Sequence, residues 1–458
     1  MPAVVDPVAE GVFAPGHLGE LTQIVPFEMV DAVLAETRTT QRRTRVLPSR
    51  VVVYVLLAAA LFAECGYRQV WARLVAGLDP GKIGRAAAPS AAALASARRR
   101  IGPAPLRELF HLLRTPAAAP GTRGTWWRGR LVCAIDGTMM CCPDTPANLV
   151  AHRKGGSNHG GTGYPMIRLL GLVACGTRTL LAAVFGPTSR GETRYAADLL
   201  PAMGTGMIVL ADRNFDAADL IVQITGTGAD VLIRAKTGRH GRKLPVLRRL
   251  PDGSYLSHIG PLGVRVIDAV LTTTAPGSQR VSSYRLITTV LDPGCSPEEI
   301  VRLYHQRWEI ETAYCELKST ILGGRVLRAR TPAGVEQEVY ALLIAYQAIR
   351  IAIADTAIAR PQVDPDRASF TVALNTARDQ IIKAAGIITG TTETMVDIVG
   401  VIGRHVLADL LPPRRPRTSP RVVKRAISNY APHTASGRLR GRSHNTATRI
   451  NILTGAPP

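Results

Sequence analysis

Apolar residues recur at helical spacing through the first quarter of the chain. Leu21 and Val25 belong to such a pattern, and a continuous apolar run follows at 51–63. Ser90 comes directly before another helical pattern and is the predicted N-cap of that helix. Together these patterns predict an all-helical domain over residues 13–113.

The pattern changes after a Pro-, Ala- and Gly-rich segment at 115–128, which predicts a linker. Short apolar runs typical of buried strands replace the helical spacing, with two amphipathic helical patterns among them. Strands are predicted at 131–135, 166–175, 179–185, 207–211 and 231–235, and helices at 192–203 and 216–225. This order of elements predicts a mixed α/β core over residues 128–350.

A β-rich insertion is predicted inside this core at 237–297, where short alternating strands and turn residues dominate. Helical spacing returns beyond it, with helices predicted at 297–322, 335–358 and 370–385. The remainder divides into a C-terminal helical region at 351–411 and a basic tail at 412–458. Positions 414–449 carry ten Lys or Arg and no acid, so the tail is predicted to be flexible. It would add unspecific affinity for phosphates or be merely a solvated tail.

The charge balance narrows the choice of partners. The 458 residues include 56 Lys and Arg against 34 Asp and Glu, a net charge of +22 that favours a polyanionic partner. No signal peptide is visible, and the apolar run at 51–63 is too short to span a bilayer. Seven cysteines without a CxxC pair predict reduced thiols in a cytoplasmic protein. Nucleic acid is therefore the predicted partner, and no membrane role is expected.

Four polar side chains share one face of the helix predicted at 297–322. At about 100° per residue they fall within about 60° of one another. They are Tyr304, Arg307, Glu311 and Lys318. Glu309 and Glu316 project roughly opposite, and we expect them to lie outside the same site. Because a carboxylate can hold a metal and cations can hold phosphates, the stripe predicts metal-assisted phosphoryl transfer on nucleic acid. The competing interpretation is a surface helix with an ion pair between Arg307 and Glu311.

Two aspartates that follow predicted strands supply matching acids. Asp136 comes directly after the strand at 131–135, and Asp212 comes directly after the strand at 207–211. Taken alone, an aspartate commonly ends a strand simply as a turn former. With Glu311 they make three carboxylates from separate elements, about the number that two-metal phosphoryl transfer requires. Oxygen ligands without a Cys/His cluster favour two Mg²⁺ ions, or Mn²⁺, over zinc.

The chain resembles the DDE transposases of bacterial insertion sequences, in the insertion-element-four family. The resemblance rests on the Tyr-x2-Arg-x3-Glu-x6-Lys spacing from Tyr304 to Lys318, on Asp136-Gly-Thr and on Asp212-Arg-Asn-Phe. The stretch at 89–98 likewise resembles the helical N-terminal domain of that family. The resemblance implies an α/β fold with an RNase H-like mixed-sheet catalytic core and a β-rich insertion. An all-helical DNA-binding domain would precede that core.

The resemblance also implies a role for each matched residue. The catalytic and metal-binding residues would be Asp136, Asp212 and Glu311. The phosphate contacts near the transposon end would be Tyr304, Arg307 and Lys318. Arg213 would be a further DNA contact, although a salt bridge to a nearby acid explains it as well. Trp308 would stack on a base, although packing in the core is at least as good an explanation.

Enzymes of this kind cut the transposon free and join its 3′ ends to target DNA. They generally act as dimers that bridge two double-stranded ends. The predicted function is therefore a metal-dependent DNA transposase with the inverted-repeat ends and the target DNA as partners. An RNase H-like endonuclease without strand transfer, or a catalytically inactive DNA-binding derivative, are the alternatives.

Overall fold

Helical layers and a mixed sheet make up the described part of the protein. The computed structural model describes residues 17–41, 43, 47–77, 89–154, 163–236, 241–275, 278–383, 399–413 and 447–453. Most of the basic tail predicted at 412–458 lies outside the described residues.

Helices account for the N-terminal region, as its apolar spacing predicts. Helices α1 to α5 span Phe27–Glu36, Ser49–Leu61, Tyr67–Val75, Ala91–Ile101 and Ala104–Leu113. Ser90 caps α4, because its hydroxyl accepts a hydrogen bond from the amide of Ala93 at 3.1 Å. Helix α2 is apolar on all sides and almost wholly buried, as the central helix of a bundle must be. The prediction of an all-helical N-terminal region is confirmed.

Three consecutive arginines end helix α4, and two of them are engaged by the protein itself. The guanidinium of Arg98 lies 3.8 Å from the centre of the Tyr67 ring. Arg100 donates a hydrogen bond from Nη2 to the carbonyl of Leu47 at 2.6 Å. Arg99 is exposed. Within this run, Arg99 is therefore the side chain presented to solvent, while its neighbours stabilise the helical packing.

Eleven strands within the described residues form one sheet. Strands β1 to β11 span Trp126–Trp127, Arg130–Cys141, Met166–Ala174, Leu180–Pro187, Met207–Ala211, Asp230–Arg234, Arg248–Arg249, Tyr255–Ile259, Leu262–Ala275, Ser278–Thr288 and Ala447–Ile452. Their order is β4-β3-β2-β5-β6-β10-β9-β8-β7, with β1 beside β2 and β11 beside β9. Strands β2, β5 and β6 are parallel, and the other pairs are antiparallel. This mixed sheet agrees with the predicted RNase H-like α/β core.

The β-rich insertion extends this same sheet. Strand β10 pairs antiparallel with β6, with Ile287 opposite Ile233, and β9, β8 and β7 follow outward. The parallel edge of the core would otherwise expose unpaired backbone amides and carbonyls at β6. The insertion covers that edge and places Tyr284 of β10 close to the motif helix, defined here as residues 297–321.

Strand β2 is longer than the sequence pattern predicts. It continues through Asp136 to Cys141, because antiparallel pairing with β3 persists beyond the last residue of β5. The continuous apolar run ends at Ile135, and this is where the sequence pattern ceases to signal a strand. Asp136 therefore lies within β2 and not directly after it, which corrects the predicted position.

Helices cover both faces of the sheet. Helices α6 to α8 span Pro146–Ala151, Glu192–Ala197 and Ala218–Gly226, and the long helix α11 spans Pro332–Ala359. Between them along the chain lie α9 and α10 of the motif helix, Pro297–Tyr304 and Trp308–Cys315; beyond α11 lie α12 and α13, Phe370–Lys383 and Gly400–Ala408. One face of β2 and β5 packs against α7 and α8, and the other packs against the motif helix and α11.

Helix α11 is the central helix of the second layer. By length and composition it is the one described helix that is long and apolar enough to cross a membrane. However, 78% of its apolar window is buried inside the protein. Its apolar side chains face the N-terminal helices, the sheet and the motif helix, so core packing accounts for its composition.

A short stretch of the predicted flexible tail is ordered as a strand. Strand β11, Ala447–Ile452, pairs antiparallel with the part of β9 that β8 leaves uncovered, with Ile450 opposite Leu271. Ile450 and Ile452 pack against the core, while Arg449 and Asn451 are exposed. The prediction of flexibility is wrong for these residues, because alternating apolar side chains give them a face to bury.

Candidate active site

Two parallel strands place the predicted aspartates side by side. Ile135 of β2 lies opposite Ala211 of β5, so Asp136 and Asp212 are the next residues on neighbouring strands, about 5 Å apart along the sheet. The Asp136 carboxylate accepts a hydrogen bond from the amide of Gly137 at 2.8 Å. The Asp212 carboxylate accepts one from the amide of Asn214 at 2.8 Å and caps a 3₁₀ turn. The register of the sheet thus places both acids side by side, at the carboxyl end of the parallel pairing between β2 and β5.

The motif helix lies across this end of the parallel strands but is not one continuous α-helix. A 3₁₀ turn, His305–Arg307, separates α9 from α10, and a π-helical segment, Glu316–Ile321, follows α10. Sequence periodicity alone predicts an uninterrupted helix, because segments of three and six residues are too short to change the spacing of apolar residues recognisably. The irregular turns surround the segment that carries Glu311.

Arg307 joins the motif helix to the strand. Its Nη2 lies 3.1 Å from Oε1 of Glu311, and its Nη1 lies 3.6 Å from Oδ2 of Asp136. Arg307 is only 7% exposed, so this bridge lies in a medium of low dielectric constant. The i, i+4 ion pair with Glu311 therefore exists, but it is part of a buried cluster with Asp136 and not a surface pair.

Electrostatic coupling links the three acids and Arg307. Burial, helped by the charges of Asp212 and Glu311, raises the pKa of Asp136 to about 7, although Arg307 and the Gly137 amide both act to lower it. Burial by itself would lower the pKa of Arg307, yet Tyr304 and all three carboxylates hold it above its usual range. An excess of negative charge on half-buried side chains is thus gathered around one buried guanidinium.

The raised pKa of Asp136 predicts a pH-dependent metal requirement. Below pH 7 this carboxyl is mostly protonated, and a proton must leave before a cation binds there. At subsaturating Mg²⁺, DNA cleavage is expected to fall by about tenfold per pH unit below 7 and to level off above it. Cleavage rates of purified protein between pH 5.5 and 8.5 test this expectation. A flat pH profile of the cleavage rate across pH 6 to 8 would contradict it. At saturating Mg²⁺, the midpoint of this pH profile should shift to lower pH.

Two aromatic residues enclose the guanidinium of Arg307. It lies 6.0 Å from the ring centre of Tyr304 and 5.0 Å from that of Trp308. Tyr304 is 5% exposed, its pKa is raised to about 12 by burial, and its ring meets Tyr284 edge-on at 6.1 Å. Trp308 is half-buried. Both rings therefore support Arg307 within the protein, and their predicted contacts with DNA remain predictions.

The other predicted DNA contacts differ in their surroundings. Lys318 donates from Nζ to the hydroxyl of Thr138 at 3.0 Å, and Thr138 lies two positions beyond Asp136 on the same face of β2. The ammonium group is therefore held close to the acids. Arg213 is exposed and takes part in no ion pair among the described residues. The alternative of a salt bridge for Arg213 is thus not realised there.

Two residues at the site escaped the sequence analysis. Tyr314 donates its hydroxyl proton to the carbonyl of Asp136 at 2.6 Å, and Gly171 makes room for it, since a Cβ there would lie 3.1 Å from that hydroxyl. Arg234 follows Ile233, which lies opposite Ala211, so it stands beside Asp212 at the same end of the parallel strands. The position of Arg234 at the end of an apolar run was a signal in the sequence. Nothing in the sequence around Tyr314 indicated its contact with Asp136.

The donor set fits a divalent cation. As the side chains stand, no three acidic, histidine or cysteine residues of the described chain are close enough to hold a metal ion. The charges of Asp212 and Glu311 nevertheless both raise the pKa of Asp136, and a hard cation would relieve that repulsion with oxygen ligands. Asp136, Asp212 and Glu311 would be the residues that hold it.

Comparison with known proteins shows the family of this chain. The family model for the insertion element 4 transposase N-terminal region matches residues 15–111, and the model for the transposase DDE domain matches residues 127–348. The chain belongs to the insertion-element-four family of DDE transposases. It is a DNA-cleaving transposase of an insertion sequence, and this family binds DNA and uses divalent metal ions.

Relatives of the transposase extend the match over most of its length. The transposase InsG for insertion sequence element IS4 of Escherichia coli K12 is 29% identical over 422 residues, which cover 88% of this chain and 91% of InsG. The putative transposase InsZ of the same strain is 30% identical over 146 residues, 30% of this chain and 46% of InsZ. A piggyBac transposase synaptic complex with hairpin DNA covers 90% of this chain and 88% of its own, at 12% identity and a TM-score of 0.42. The likeness to that complex is too weak to support an inference.

Proposed function

We propose that this transposase excises its insertion sequence and transfers the strands to target DNA by two-metal phosphoryl transfer at the transposon ends. The observation that carries the proposal is the cluster of Asp136, Asp212 and Glu311 around one buried arginine. Asp136, Asp212 and Glu311 would hold two Mg²⁺ ions, or Mn²⁺. Bound there, the ions would lower the pKa of the attacking water or 3′ hydroxyl and stabilise the leaving oxygen.

The remaining residues would bind and orient the DNA. Arg307 balances the half-buried carboxylates without the metal, and its guanidinium can turn to a phosphate oxygen once the carboxylates have ligands. Lys318, fixed beside Thr138, would hold a neighbouring phosphate, with Tyr304 buttressing Arg307. Arg213 and Trp308 would extend the contact on the exposed side.

The proposed partners are the inverted-repeat ends and the target, both double-stranded DNA. A net charge of +22 supports binding to a polyanion. Joining two ends to one target requires two active sites in one complex, so we propose a homodimer on paired ends. The proposed location is the bacterial cytoplasm, at the nucleoid.

An excision assay tests the proposed reaction. The gene is supplied beside a marker flanked by its own native borders, and wild type is compared with Asp212→Asn. Excision by wild type alone, with the marker reappearing elsewhere, is the expected result. Excision without reintegration would favour an endonuclease, and equal excision by Asp212→Asn would remove this acid from the site.

A further inference from the structure

The face of the motif helix opposite Glu311 carries a second set of charged side chains. Glu309 is 3% exposed and Glu316 is 8% exposed. Both meet the guanidinium of Arg178, with Nε lying 2.6 Å from Oε2 of Glu309 and Nη1 lying 3.2 Å from Oε1 of Glu316. Arg178 also pairs with Asp366, and Arg350 of helix α11 donates from Nε to Glu316 at 3.0 Å. This cluster is separate from the one around Arg307.

Arg178 is anchored independently of the motif helix. It lies in the tight turn between β3 and β4 with φ of 60°, a left-handed conformation that arginine rarely adopts without support. Its carbonyl accepts a hydrogen bond from the hydroxyl of Tyr346 at 2.8 Å. The amide of Leu180 donates to the side chain of Gln347 at 2.8 Å. Two side chains of helix α11 thus fix the turn, and the turn fixes the guanidinium.

Helix rotation connects the two clusters. Glu309 and Glu311 are two positions apart and project in very different directions, whereas Glu309 and Glu316 are seven apart and share a face. A rotation of α10 about its axis would therefore break the contacts with Arg178 and remove Glu311 from Asp136 together. Because α10 is flanked by 3₁₀ and π segments, its backbone hydrogen bonds resist this rotation less than those of a continuous helix would.

Apolar packing alone specifies this rotation poorly. Ile310, Ala313 and Leu317 bury apolar surface against the sheet and α11, and such contacts are not directional. A guanidinium offers donors in a rigid planar fork, which defines where each carboxylate must lie. Setting the register of a helix is the best-attested use of buried polar and ionic groups.

We infer that Arg178 is a positioning residue for transposition, which acts through Glu309 and Glu316 to hold Glu311 at the metal site. The inference rests on the proposed role of Glu311 as a metal ligand. Arg178 itself touches neither DNA nor metal in this scheme. Loss of the contact would weaken metal binding at Glu311 in addition to destabilising the fold.

A Mg²⁺ titration of DNA cleavage by the purified full-length protein tests this role. Glu309→Gln keeps the size and hydrogen-bonding capacity of the side chain but removes its charge. The Mg²⁺ concentration for half-maximal cleavage of a native end is expected to rise about 10-fold or more, the effect typical of groups that orient ligands. Affinity for the end DNA in Ca²⁺ or without metal should stay close to that of wild type.

A matched variant separates positioning from stability. Glu338→Gln changes a glutamate that is equally buried, at 4% exposed, and that pairs with Arg328 at 2.9 Å away from the acids. It should lower the thermal midpoint without changing the Mg²⁺ requirement. Arg178→Lys, which keeps the charge but loses the fork, should fold and show an intermediate Mg²⁺ requirement even if Glu309→Gln does not fold.

The outcomes distinguish the inference from the proposed function. An unchanged Mg²⁺ requirement in both Glu309→Gln and Arg178→Lys, alongside an inactive Glu311→Gln, would overturn the positioning role alone. Normal cleavage by Glu311→Gln would overturn the metal site itself. An equal rise in Glu338→Gln would show a general effect of destabilisation and would also overturn the inference.

Discussion

Replacing Glu311 by Gln is expected to abolish DNA cleavage while leaving DNA binding largely intact. The amide keeps the shape of the side chain, but it cannot supply the negative oxygen that a Mg²⁺ ion requires. The ion pair with Arg307 at 3.1 Å is lost as well, so that guanidinium would turn wholly to Asp136. The expected fall in the cleavage rate is on the order of 10³-fold or more. Single-turnover cleavage and gel-shift titration on a native end measure the two properties.

The control for this prediction is Glu336→Gln. Glu336 is a partly exposed glutamate that pairs with Arg107 in the N-terminal layer, away from the acids. It should cleave like wild type. If Glu311→Gln retained more than a tenth of the wild-type rate, the assignment of this acid would be wrong. If it lost DNA binding to the same extent as cleavage, Glu311 would act in folding or binding and not in chemistry.

Replacing Arg178 by Met is expected to have the largest effect on stability. Met fills a similar volume but leaves Glu309, Glu316 and Asp366 buried without the cation that they share. Burial alone would lower the pKa of Arg178, yet Glu309 and Glu316 hold it raised, which shows how strongly the carboxylates favour its charge. Removing one partner of such a cluster costs about 3–5 kcal/mol of unfolding free energy. Thermal unfolding followed by calorimetry measures the loss.

The same substitution at an exposed ion pair provides the comparison. Arg302 pairs with Glu298 at 2.6 Å on the surface of α9, with both side chains more than half exposed. Arg302→Met should leave the thermal midpoint nearly unchanged, since solvent already screens the pair. A similar midpoint for Arg178→Met and Arg302→Met would show that the buried cluster contributes no more than a surface pair.

Much of the architecture was predictable because it rests on local patterns. Apolar runs located β3, β4, β5 and β6 to within one or two residues, and Ser90 marked the start of α4. Helical phase correctly separated Glu311 from Glu309, since phase depends on sequence spacing alone. These features need only neighbours along the chain, so the sequence contains them.

Contacts between distant segments were not predictable in the same way. The extension of β2 through Asp136 depends on pairing with β3, and the ordering of Ala447–Ile452 depends on a free edge of β9. Nothing near Arg178 in the sequence indicates that three carboxylates from two other segments converge on it. These carboxylates lie more than 100 residues from Arg178 along the chain, where local periodicity carries no information.

The sequence by itself determined the chemical groups of the site, their order and the face of the helix on which Glu311 lies. The tertiary structure decided how closely they meet: sheet register sets Asp136 beside Asp212, and Arg307 bridges Asp136 and Glu311. It also decided that burial raises the pKa of Asp136 to about 7. Spacing along a chain fixes direction around a helix, whereas distance, burial and charge coupling exist only once separate elements have packed together.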